Sequence, residues 1–134
     1  MKDLETIDFI EQETGNSFVW GSNDCNTFVL KYVDQVHGMD LLKKAYKKYK
    51  TKKGAISFQA KYPLPISEAI IKEGAVKIPP GMARMGDLLV KQDKGFERCH
   101  ICLGTKIASV PEDQETQIQS IKDFNIFDWG IRVI

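Results

Sequence analysis

Long apolar runs are missing from this chain. No stretch of it approaches the roughly 20 apolar positions that a spanning helix needs, so no membrane partner is expected. Cysteine is scarce and odd in number, at three, and the opening residues hold no apolar signal-like segment; together these predict free thiols in a reducing compartment. Neither sign of charge dominates: 19 basic against 18 acidic side chains leave a formal net charge of +1, and composition alone names no partner. Histidine occurs only twice, at His37 and His100, so chemistry that needs an imidazole has two places to find it. No internal repeat or low-complexity tract is present. The remainder, 43% apolar and 28% charged over 134 residues, is the composition of a soluble globular protein, and the length fits one domain over residues 1–134.

The informative stretch is Phe18-Val19-Trp20-Gly21-Ser22-Asn23-Asp24-Cys25 together with the dozen residues after it. Ser22, Asn23 and Asp24 all suit a helix N-cap, and Phe28, Val29, Tyr32, Val33 and Val36 recur at helical spacing, so Cys25 opens a helix that runs to about Val36. A thiol placed there sees unpaired backbone N–H groups and the positive end of the helix dipole, both of which favour thiolate. The competing reading is a buried core cysteine, because Cys25 shares a helical face with Phe28, Val29 and Tyr32. As a negative neighbour, Asp24 would raise the thiol pKa and oppose the dipole. His37, in the break after the helix, reads as an exposed turn residue whose charged form the dipole stabilises.

Residues 2–14 read as a helix with Leu4, Ile7 and Ile10 on its packing side, stopped by Gly15. Residues 41–53 carry seven lysines around Tyr46 and Tyr49 and predict a third, surface helix, a solvated face rather than a nucleic-acid grip, since no nucleic-acid motif accompanies it. Gly54 to Pro65 reads as a turn-rich connection, and a short helix comes next, capped by Ser67 and closed by Gly74. From Ala75 the pattern turns extended: Val76 to Ile78, Asp87 to Val90, Phe96 to Leu103 after a turn at Asp93-Lys94-Gly95, Lys106 to Val110, and the last five residues. Pro111 to Gln119 reads as an exposed loop. Helices first and an antiparallel sheet after is an α+β order.

Trp20-Gly21, then Asp24-Cys25, then Phe28 resembles the nucleophile segment of NlpC-type papain-like cysteine peptidases, nearest to a small branch found among bacteriophage tail-region proteins. Met85-Gly86-Asp87-Leu88-Leu89-Val90 is similar to the family's first core strand, and His100-Ile101-Cys102-Leu103-Gly104 to its histidine-bearing strand. The resemblance implies N-terminal helices packed on a C-terminal antiparallel sheet and a thiol hydrolase acting on cell-wall peptide bonds, with no cofactor. Cys25 would be the nucleophile and His100 its base. Ser109 would be the polar residue that orients the imidazole, with Asp113 a distant second. Trp20 and Asp24 are the candidate substrate contacts, set against a core or cleft-wall role for Trp20 and a capping role for Asp24. The implied partners are a peptidoglycan stem peptide or phage tail proteins, and the implied setting is a bacterial host cytoplasm and then the virion. The alternative is a catalytically degenerate structural or assembly part of a phage tail.

Aligned on Gly104, the family's histidine falls at Arg98, two residues before His100. Strand alternation still puts Arg98, His100 and Cys102 on one face. The same alternation sends Cys99 and Cys102 to opposite faces, which argues against reading Cys99-His100-Ile101-Cys102 as a metal site or a disulfide pair. Cys25, His100 and Cys102 as a metal trio lack a fourth ligand, so no metal is expected.

Overall fold

A computed structural model describes residues 2–61, 65–93 and 96–134. Tyr62-Pro63-Leu64 and the expected turn at Lys94-Gly95 lie outside the described residues. Helix α1 (Lys2–Glu13) packs beside α2 (Cys25–His37), and α2 lies across a six-stranded antiparallel sheet of order β1-β6-β2-β3-β4-β5. Strands β2 (Leu88–Asp93), β3 (Phe96–Cys102), β4 (Lys106–Ser109) and β5 (Gln117–Ser120) form a meander. The last strand, β6 (Trp129–Arg132), returns to lie between β1 (Val76–Ile78) and β2. This is the α+β arrangement the sequence predicts.

Apolar side chains alternate across the sheet as its pleat requires. Leu88, Val90, Cys99, Ile101 and Ile131 face the helices and join Phe28 and Val33 in the main core. Leu89, Cys102, Ile107 and Phe127 make a smaller cluster on the other face. The two cysteines of the C-x-x-C thus point apart, one into each cluster.

Four local expectations are corrected. In α1 the buried side is Thr6, Phe9, Ile10 and Glu13, while Leu4 is 66% exposed and Ile7 faces outward. Phe9 stacks near Phe28 and Tyr32, Thr6 bonds the Tyr32 hydroxyl, and Glu13 pairs with Lys31, so tertiary partners fix the helix phase. The lysine-rich segment is not a continuous helix: a 3-10 turn covers Leu42–Lys44, Lys47 takes a left-handed backbone, and helix α3 (Lys52–Lys61) occupies the expected connection. In α4 (Ile66–Lys72) Pro65 stands at the N-cap, and Ser67 instead bonds the buried Glu97 carboxylate through both its N–H and its hydroxyl. Finally, the expected loop before Gln119 already contains the start of β5 and a buried Thr116.

Candidate functional site

The start of α2 is fixed by one carboxylate. Asp24 Oδ1 accepts from Asn26 N at 3.0 Å and Thr27 N at 2.9 Å, and Asp24 N in turn donates to Thr27 Oγ1 at 2.9 Å, a reciprocal capping box. Asp24 Oδ2 accepts from Gly21 N at 2.9 Å and from the Tyr49 hydroxyl at 2.7 Å. With four donors on it and 2% exposure, this carboxylate has no room for a substrate. The structure therefore moves Asp24 from substrate contact to architecture. The Trp20 ring, partly buried, stands edge-on to Phe18 at 4.8 Å and packs against the cluster of Tyr49, Ala55 and Phe96.

Asn26, which no sequence signal singles out, joins the helix start to the sheet. Its Nδ2 donates to Glu97 O at 2.7 Å, and its Oδ1 accepts from Cys99 N at 3.2 Å and from Cys25 Sγ at 3.7 Å. A side-chain amide bonding along a strand edge holds the helix at one height over β3. That height brings Cys25 to a cleft of about 220 Å³ lined also by Arg98, His100, Ser109, Glu112 and Gln119. The position two residues before His100 thus contributes as well. Glu112 and Gln119 come from a segment that reads as featureless loop in the sequence.

The electrostatics differ from the expected thiolate. Burial pushes the Cys25 thiol up to about 12, and the Asp24 charge adds to the rise; the backbone N–H of Cys99 and the Arg98 guanidinium pull only partly the other way. Desolvation outweighs the helix dipole here. His100 is displaced in the opposite direction, from 6.5 to about 4, chiefly by burial, with a partial rise from the Leu89 backbone. Its ring centroid lies 5.0 Å from that of Phe127, and its Nδ1 is buried without a hydrogen-bond partner. Both groups are neutral near pH 7. His37 departs from its expectation too: it is half-buried, its ring Nε2 lies 3.3 Å from the Tyr32 hydroxyl, and burial together with Lys2 lowers its pKa rather than raising it.

The His100 shift has a measurable consequence. An imidazole held neutral in the fold but protonated in the unfolded chain withdraws stability as pH falls from 6.5 to about 4. A displacement of this size corresponds to about 3 kcal/mol. Urea midpoints measured from pH 7 to pH 4 should fall steeply for the native protein and distinctly less for His100→Gln. Parallel pH profiles for the two would show that His100 is solvated in the folded state.

A family model described as "Domain of unknown function (DUF6950)" matches residues 3–125. The chain belongs to this family. Among solved structures, this DUF6950 domain is similar to the NlpC/p60 domain of the peptidoglycan hydrolase SagA, with 19% identity over 98% of each chain and a TM-score of 0.67. It is also similar to RipD from Mycobacterium tuberculosis, a non-catalytic NlpC/p60 domain protein adapted to peptidoglycan binding, with 22% identity, 100% of this chain and 98% of that one covered, and a TM-score of 0.55. No curated protein matches. The fold of the DUF6950 domain is therefore that of NlpC/p60 domains, and at these identities the likeness speaks for the fold alone.

Proposed function

We propose that the cleft is the active site of an NlpC-type thiol hydrolase acting on peptide bonds of the bacterial cell wall. The observation that carries this reading is the convergence of Cys25, His100 and Ser109, from α2, β3 and β4, on one cleft. Cys25 Sγ would attack the amide carbonyl while its proton passes to the neutral His100 imidazole, which then protonates the leaving amine. The Cys25 backbone N–H, at the first turn of α2 where helical partners are lacking, is the natural donor to the oxyanion. Burial and the Asp24 charge raise the Cys25 pKa, so proton transfer to His100 accompanies attack in this reading. A phage source, with synthesis in the host cytoplasm and a place in the virion, is part of the same proposal and rests on the motif resemblance.

A second reading is a domain of the same fold that holds a peptide or a phage tail protein without cutting it. The unpartnered His100 Nδ1 and the opposed pKa shifts of the two groups favour it. Incubation with purified stem peptides, read by mass spectrometry, separates the two. For the hydrolase, Cys25→Ala and His100→Ala each abolish cleavage, and the double variant is scarcely worse than either, because residues acting as one unit are non-additive. A native protein that binds stem peptides and leaves them intact sinks the hydrolase reading.

A further inference from the structure

The two edges of the sheet are not equally protected. β1 is three residues long, carries Lys77 at its centre and runs into Pro79-Pro80, all features that discourage another strand from pairing. β5, Gln117-Ile118-Gln119-Ser120, has neither charge nor proline. The ladder shows which of its backbone groups are spent. Leu103 N donates to Lys106 O, so Lys106 turns its peptide groups toward β3, and Ile107 and Ser109 turn theirs toward β5. Ile121 N, donating to Thr105 O at 3.4 Å, continues that alternation. Gln117 and Gln119, opposite Ser109 and Ile107, therefore bond β4, while the N–H and C=O groups of Ile118 and Ser120 point away from the sheet, where no further strand lies among the described residues.

One rung of this outer edge is already occupied. Thr116 N donates to Asn16 O at 2.9 Å and Thr116 O accepts from Gly15 N at 2.9 Å, so the segment leading to Cys25 pairs with the edge and then leaves it. Beyond that point Ile118 is 45% exposed. The charges flanking the open part are polarised: exposed Glu115 stands at the Thr116 end, and exposed Lys106 and Lys122 stand at the Ser120 end, without ion pairs among the described residues. On the opposite face Gln119 lines the Cys25 cleft.

We propose that the outer edge of β5 binds an extended peptide as an additional strand, along the rim of the Cys25 cleft. Its main chain bonds the free groups of Ile118 and Ser120. An apolar side chain lies beside Ile118, a basic residue lies toward Glu115 and an acidic residue toward Lys106 and Lys122. Binding does not depend on hydrolysis, so it is measured in the full chain carrying Cys25→Ala, where a failure to bind is separate from a failure to cleave.

The probe is a fluorescein-labelled heptapeptide of sequence Lys-Thr-Val-Thr-Val-Thr-Glu, and the readouts are fluorescence anisotropy and amide hydrogen exchange by NMR. Saturating peptide should slow exchange at Ile118 and Ser120 by about tenfold or more and leave Gln117 and Gln119, already bonded to β4, unchanged. Ile118→Pro, which removes an outward donor and no bond to β4, should weaken binding by about tenfold. Should that variant fold poorly, the exposed double reversal Lys106→Glu with Lys122→Glu should weaken binding in an intact fold, and a peptide with proline in place of valine should not bind. Unchanged exchange at Ile118 and Ser120, or full affinity in both variants, overturns the proposal. So does protection of Ile118 that rises with protein concentration in the absence of peptide, which would mean that a second copy of the chain covers the edge.

Discussion

Gly21→Val should cost about 4 kcal/mol or more, a loss reserved for changes that break a specific packing constraint. Gly21 has a φ of +86°, and a Cβ there would stand 2.1 Å from the carbonyl oxygen of Tyr49, a backbone atom that no rotamer change can move aside. Gly21 O also accepts from Lys47 N at 2.8 Å, so the lysine-rich segment is laced to this turn from both sides. Gly15 supplies the control. Its φ is +91°, yet nothing lies within 4 Å of the Cβ it lacks, so Gly15→Val should show only the backbone penalty of about 1–2 kcal/mol. Urea midpoints of the two variants give the comparison, and equal losses would show that the close approach at Tyr49 yields freely.

Asp24→Ala should be nearly as damaging, at about 3–5 kcal/mol. The substitution leaves Gly21 N, Asn26 N, Thr27 N and the Tyr49 hydroxyl without their acceptor, in a place where water does not reach. An ordinary exposed N-cap loses only about 1 kcal/mol when replaced by alanine, which is the scale to beat. Chemical denaturation read by circular dichroism measures it, and a loss near that of an ordinary cap would mean that solvent enters and satisfies the orphaned donors. Removal of the same charge takes away one cause of the raised Cys25 pKa, so the residue that builds the helix start also holds its thiol protonated.

Features that depend on near neighbours are the ones legible in the residues alone. The cap candidates Ser22, Asn23 and Asp24 and the break after Val36 mark both limits of α2 locally, and the strands of the meander announce themselves by alternation and by their turns. The lysine-rich segment misleads for the opposite reason. Lysines favour a helix, but Tyr49 is drawn inward to Asp24 and Lys47 to Gly21, and those partners lie more than twenty residues away. Gly54 likewise argues against α3, although the helix forms around it. Cys25, His100 and Ser109, which the sequence singles out, do line one cleft. Asn26, Glu112 and Gln119 are not singled out, since their parts depend on which strand passes beside them. The ionisation of Cys25 departs from expectation because dipole and cap are visible in sequence and burial is not.

The position of β6 also sets an order of assembly. Strands β2 to β5 succeed one another with short connections and are able to zip up as soon as they are made, whereas among the described residues β1 has no strand neighbour except β6. Val76–Ile78 therefore waits, unpaired, until Trp129–Arg132 has threaded into place beside Leu88–Val90. Closing a loop of that length is the entropically costly, slow kind of contact, so docking of the final strand is the step at which the native sheet is either completed or left with Leu88 and Val90 open to another chain.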